Sequence, residues 1–171
     1  MLGVAASLSF LLMMFNVPVP GGTTAHAVGG ALLAILIGPY AASLALSVAL
    51  ILQAFLFGDG GILALGANIF NMAVAMPFIG YGIYSWFRKH HHESLGVIVG
   101  SYVAINAAAL LTGIELGLQP LIASEAGQPL YNPYGLEVTI PAMMAAHLVV
   151  AGWVEAFFTY AIYHFVKQVA P

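Results

Sequence analysis

The sequence predicts an all-α fold: one membrane domain, residues 1–171, of about six transmembrane helices. Three observations predict it. Of the 171 residues, 62% are hydrophobic and 5% charged, whereas a soluble domain carries roughly a quarter charged residues. Three Lys/Arg and six Asp/Glu are too few to cover a water-facing surface of this size. The mean hydropathy is +1.01, and uncharged runs recur at lengths near the roughly 20 residues needed for one crossing.

Glycine and proline punctuate those runs and place the elements in order. Residues 3–17 form the first helix, stopped by Pro18, Pro20, Gly21 and Gly22. No basic region or cleavage site makes this segment a secretory leader, so it reads as a first or truncated span. The second helix, residues 25–37, stops at Gly38-Pro39 and is shorter than a full crossing. The third runs from Pro39 to Phe57, with proline at the first position, where its missing N–H costs nothing. After Gly58-Asp59-Gly60-Gly61 comes a fourth helix over residues 66–87. Residues 88–93 are the one charge-dense stretch, and a fifth helix covers residues 95–116. Residues 119–136, with three prolines, make a loop too polar and long to lie in lipid; a sixth helix covers 139–166. Small residues recur four apart at Ala41, Ala45 and Ala49, at Ala104 and Ala108, and at Ala142 and Ala146. That spacing lets helix backbones approach closely, within the bundle or against a partner.

The basic residues orient the bundle. Arg88-Lys89 and Lys167 follow the fourth and sixth helices, so alternation puts both sites on one side, and the positive-inside rule makes that side cytoplasmic. The present N-terminus is then also inside. Residues 18–26, 59–66 and 119–136 lie outside.

Several chemistries are excluded. With no cysteine there is neither a disulfide framework nor a thiolate metal site. Three basic residues leave no footprint for nucleic acid. Neither a GxxxxGK[ST] nor an HExxH motif occurs, so the chain does not itself use ATP and lacks the common zinc-protease pattern. The single aspartate, Asp59, excludes a two-aspartate protease. No catalytic constellation or prosthetic-group site remains, and an enzyme is not expected.

The outer side collects the polar candidates. His26 follows a Gly-rich loop with Thr23 and Thr24 and opens the second predicted helix. A neutral imidazole there is either a metal ligand or a loop-capping group. Asn68 and Asn71, one turn apart, either cap and cross-link helices or brace a loop over a ligand. Asp59 shapes the same face or caps its own loop. His147 and Glu155 lie about 12 Å apart along the sixth helix. Ionisable groups in a span face the bundle interior, so both read as inward-facing supports. His90-His91-His92 adjoins Arg88-Lys89 and reads as a solvated cytoplasmic loop.

Three segments carry a family resemblance. The string Asn16-Val17-Pro18-Val19-Pro20-Gly21-Gly22-Thr23-Thr24-Ala25-His26-Ala27-Val28-Gly29-Gly30 resembles the hallmark loop of the CbiM/NikM family. These proteins are the substrate-specific membrane components of energy-coupling-factor transporters for nickel or cobalt. Residues 53–61 with Leu65-Gly66-Ala67-Asn68-Ile69-Phe70-Asn71-Met72-Ala73 are similar to a second signature. Ile140-Pro141-Ala142-Met143-Met144 with His147, Gly152 and Glu155 resembles the last helix.

The resemblance implies capture of Ni(II) or Co(II) as transported substrate in a bacterial or archaeal cell membrane. It implies partnership with a transmembrane coupling subunit and cytoplasmic ATPase subunits. It also implies nitrogen ligands: an N-terminal amine, the backbone nitrogen and imidazole of a histidine at position two, and the loop histidine matching His26. Such a set suits square-planar Ni(II) and disfavours Mg(II) and Ca(II). Leu2 stands at position two here, and the chain begins near the family's second helix. A truncated or mis-started form, or one half of a split protein, is therefore expected, keeping His26 alone of that ligand set. The competing expectation is a membrane scaffold that docks a partner through its small-residue faces and carries no ion.

Overall fold

The computed structural model describes residues 1–15, 17–19 and 23–169, with the side chains of 17–19, 23 and 24 not described. Among the described residues six helices form the bundle. In chain order α1 is Leu2–Met13, α2 is Gly30–Ile37 and α3 is Pro39–Phe57. Next, α4 covers residues 65–89, α5 is Glu93–Ile122 and α6 is Leu136–Val169. Two short antiparallel ribbons join them. In one, β1 (Val17–Val19) pairs with β2 (Thr23–Ala25), and in the other β3 (Ser124–Glu125) pairs with β4 (Gln128–Pro129).

By length and composition α3, α5 and α6 suffice to cross a membrane. With twelve and eight residues, α1 and α2 fall short of the roughly 20 needed. Gly38 breaks α2 from α3 at φ +86°, backbone that a side chain would resist, and Pro39 opens α3 as expected. Three helices contain π segments, with an i→i+5 ladder in place of i→i+4: Gln53–Phe57 in α3, Ile69–Ala75 in α4 and His147–Ala151 in α6.

α5 is the hub. It packs along its length against α4 and both halves of α6, while α3 packs against α1 and α2. The contacts are made by small residues: Ala45, Ala49, Ala104 and Ala108 are all buried. A Cβ at Gly100 of α5 would stand 2.8 Å from the Gly80 carbonyl oxygen of α4. In lipid, tight packing and interhelical hydrogen bonds replace hydrophobic burial as the force between helices. Large apolar side chains accordingly point outward, among them Val149, Trp153 and Phe157 on α6. Arg88 and Lys167 both pair with Glu93, so the ends of α4 and α6 and the start of α5 meet on one face, as the alternation argument requires. His90, His91 and His92 form an exposed turn there.

Several boundaries differ from expectation. The first helix stops at Met13 rather than residue 17, because Val17-Pro18-Val19 pairs as a strand. The second begins at Gly30, not residue 25: Ala25 closes the ribbon and Gly29, at φ +73°, sets the helix start. α5 continues to Ile122, taking in the first residues of the expected loop. α6 begins at Leu136, three residues early, with Glu137 in its first turn.

Candidate metal-binding cavity

A cavity of about 860 Å³ opens between α3, α4, α5 and α6 on the side away from Glu93. Its wall gathers four residues named from sequence: His26, Asp59, Asn68 and His147. Gln53, Thr112, Glu115 and Gln119 add to the polar lining, with Tyr131, Asn132 and Tyr134 at one side. All three Lys and Arg residues lie elsewhere, at 88, 89 and 167. The cavity therefore presents two carboxylates and two imidazoles and neither lysine nor arginine, a potential that favours a cation.

His26 stands between β2 and α2 and is half-buried. Its Nδ1 lies 3.3 Å from the Ala27 carbonyl oxygen. A carbonyl only accepts, so Nδ1 carries the proton and Nε2 keeps its lone pair, the tautomer a metal needs. Burial lowers the pKa of the ring below the ordinary value. The Ala27 carbonyl and Asp59 act in the opposite direction, and His147 adds to the lowering. The ring is therefore neutral near pH 7. His147 opens the π segment of α6, is buried, and places Nδ1 2.8 Å from the Met143 carbonyl oxygen. By the same argument its Nε2 is unprotonated.

Asp59 lies in the loop after α3, where its N–H donates to the Gln53 carbonyl at 3.2 Å. Asn68 Nδ2 donates to the Gly60 carbonyl at 3.0 Å and so braces that loop. Asn71 does not line the cavity. It stands behind the wall, and its Nδ2 reaches Glu115 Oε2 at 2.6 Å and Thr112 Oγ1 at 3.1 Å. Glu155 is also outside the cavity; it lies fully buried on α6 and accepts from the Val28 and Gly29 N–H groups. Thr23 and Thr24 have backbone in β2, but the roles expected of their side chains lie outside the described residues. So do Pro20, Gly21 and Gly22 of the hallmark loop.

Sequence reasoning missed three wall groups. Glu115 is the one acidic residue deep inside α5, and an ionisable group within an apolar run was itself the available signal. Gln53 is 3% exposed at the start of the π segment of α3, and its Nε2 has no partner among the described residues. The stretch 131–134 covers one side of the cavity, held by Asn132 Nδ2, which donates to the Leu116 carbonyl at 2.8 Å. Each π segment contributes to the wall, through Gln53 and Ala54, Met72, and His147. Among the described residues no three His, Cys, Asp or Glu side chains converge as a ready-made metal cluster.

A multi-pass helical membrane protein whose cavity gathers two carboxylates and two imidazoles has the build of a substrate-binding transport component. Over residues 1–171 the sequence matches the model of the cobalt uptake substrate-specific transmembrane region. The chain belongs to this family, CbiM, whose members are membrane components of transporters and not enzymes. It is 68% identical over 172 residues to the "Probable fused nickel transport protein LarMN" of Lactiplantibacillus plantarum, covering all of this chain and 52% of the relative. With the "Fused nickel transport protein NikMN" of Rhodobacter capsulatus it shares 44% identity over 177 residues, covering all of this chain and 51% of the relative. The chain thus spans about half the length of these relatives. A crystal structure of a transition metal transporter superposes with a TM-score of 0.94 at 57% identity, covering 98% of this chain and 75% of the other. A truncated transition metal transporter superposes with a TM-score of 0.93, also at 57% identity, covering 98% and 79%.

Proposed function

We propose that this chain captures Ni(II) or Co(II) at the outer face of the membrane, with His26 Nε2 among the ligands. The observation that carries the reading is the His26 ring itself: its Nδ1 proton is held by the Ala27 carbonyl, and its ring lines a cavity with carboxylates and no lysine or arginine. Asp59 and Glu115 draw the hydrated cation inward, and neutral imidazole nitrogen then suits a borderline late transition metal better than Mg(II) or Ca(II). The relatives named for nickel transport support nickel as the preferred ion.

Orientation follows from the charged face. Arg88 and Lys167 pair with Glu93 and, with the neighbouring Lys89, mark the cytoplasmic side. Glu115 lies about 33 Å further along α5 at 1.5 Å per residue, which puts the cavity at the outer side. The partners are a transmembrane coupling subunit and cytoplasmic ATPase subunits, whose hydrolysis of ATP drives release inward. The chain brings no nucleotide motif of its own. The loop residues Thr23 and Thr24, together with Asp59, Asn68, Asn71, His147 and Glu155, shape or support the pocket.

The test is uptake of radiolabelled Ni(II) by cells carrying the full-length transporter with His26→Ala. Uptake falls to background while the membrane content of the protein stays unchanged. Unaltered uptake removes His26 from the site. Unaltered uptake with no metal-dependent rise in melting temperature favours the scaffold reading instead.

A further inference from the structure

The backbone that follows His26 is held from two sides by groups far away in sequence. On one side, Glu155 Oε2 accepts the Val28 N–H at 2.9 Å, and the Gly29 N–H reaches Oε1 at 3.0 Å and Oε2 at 3.2 Å. On the other, Ser9 Oγ of α1 donates to the Val28 carbonyl at 2.6 Å. Both side chains are buried. Gly29, at φ +73°, is the cap of α2, and no side chain from its own position caps that helix. Its left-handed backbone turns two successive N–H groups toward one point, the geometry that binds an anion at a helix start. The anion here is a side chain of the last helix.

We infer that Glu155 is a positioning residue for the ion site: its carboxylate fixes the Val28-Gly29 backbone and thereby sets where His26, two residues upstream, presents Nε2. A carboxylate suits the task because it offers only acceptors to two converging donors. A glutamine has one acceptor oxygen and would turn an N–H₂ group toward one of the backbone N–H groups. An aspartate keeps the charge but is one methylene shorter and does not span the gap. His147 stands on the same helix, two turns before Glu155, so α6 supplies both a wall of the cavity and the latch on the opposite segment. The inference rests on the reading of His26 as a ligand and adds the group that holds it in place.

The test compares Glu155→Gln, Glu155→Asp and His26→Ala in the full-length transporter, with Thr159→Val as a second buried change one turn beyond Glu155, at a hydroxyl with no hydrogen-bond partner among the described residues. Three readouts are taken: KM and maximal rate of Ni(II) uptake, the visible absorption spectrum of Co(II)-loaded purified protein, and melting temperature. Both Glu155 variants raise KM tenfold or more and shift the Co(II) spectrum, with maximal rate per folded molecule kept within twofold. Thr159→Val leaves KM and spectrum unchanged. If the Glu155 variants lose only folded protein, with normal KM and spectrum in the remainder, the residue is structural and the inference is overturned. If His26→Ala leaves KM and spectrum unchanged, the ligand reading itself fails. Loss in His26→Ala beside normal Glu155 variants overturns the positioning role alone.

Discussion

Replacing Asn71 by leucine exchanges an amide for an apolar group of similar size and cuts a link between α4 and α5. The amide Nδ2 donates to Glu115 Oε2 at 2.6 Å and to Thr112 Oγ1 at 3.1 Å. A hydrogen bond to a charged acceptor contributes about 1.5–3 kcal/mol in soluble proteins. Interhelical bonds in membranes average nearer ~0.6 kcal/mol and reach about 1.7. Three details place this link between those figures. Glu115 lines the cavity and recovers water when the amide is lost. The Thr112 hydroxyl already donates to the Ala108 carbonyl at 3.0 Å and is not stranded. Asn71 Oδ1 is buried with no partner among the described residues, so leucine also removes an unsatisfied acceptor. The net expectation is a loss of about 1 kcal/mol, lowering the melting temperature by roughly 2–4 °C for a chain of this size. The assay is thermal unfolding in detergent of wild type, Asn71→Leu, Glu115→Ala and the double variant. A coupling of about 0.5–1.5 kcal/mol between the two changes is expected from directly bonded groups. A coupling inside the usual additivity error of ~0.3 kcal/mol would refute the argument that this bond joins the helices.

Two further outcomes follow from geometry and charge. A Cβ at Gly117 would stand 2.5 Å from Thr139 Oγ1 and 2.7 Å from the Leu136 Cα, so Gly117→Ala drives α5 against the backbone of α6. Overpacking costs about 1–3 kcal/mol and outweighs the ~1 kcal/mol helix-propensity gain of alanine over glycine; melting temperature falls, and a rise would contradict the packing. Because burial, in its surroundings of Asp59 and His147, holds His26 below the ordinary imidazole value of about 6.5, protons compete with metal only on the acid side of that value. Metal retained by washed protein stays level from about pH 8 to 7 and declines below about pH 6; a decline already between pH 8 and 7 would mean that His26 is not the titrating ligand.

Much of the bundle was legible because run length and Gly/Pro punctuation are local signals. Pro39–Phe57 was read to the residue, since Gly38-Pro39 and Gly58 bracket an unbroken apolar run. The stretch before α2 was misread because Ala25, His26, Ala27 and Val28 suit a helix as well as a strand end, and the left-handed turn at Gly29 decides between them. Of the site, His26, Asp59, Asn68 and His147 were named from sequence and share one cavity. What lay beyond reach was non-local. The bond from Glu155 to Val28 spans 127 residues, and no spacing rule encodes it. Asn71 looked like a capping or cross-linking residue, but its partner Glu115 had been passed over inside an apolar run.

The π segments give the walls of this cavity a tolerance of chain length that a regular helix lacks. An α-helix turns about 100° per residue, so inserting or deleting one residue rotates everything beyond it by that angle. A π turn accommodates one extra residue and keeps the remainder of the helix in phase. In α6 the turn over His147–Ala151 sets the azimuth of Glu155, and of Lys167 beyond it, relative to His147. Removing a single residue inside that turn would close it to regular helix and leave Glu155 facing Val28, whereas the same deletion between Gly152 and Glu155 would swing the latch away by about 100°.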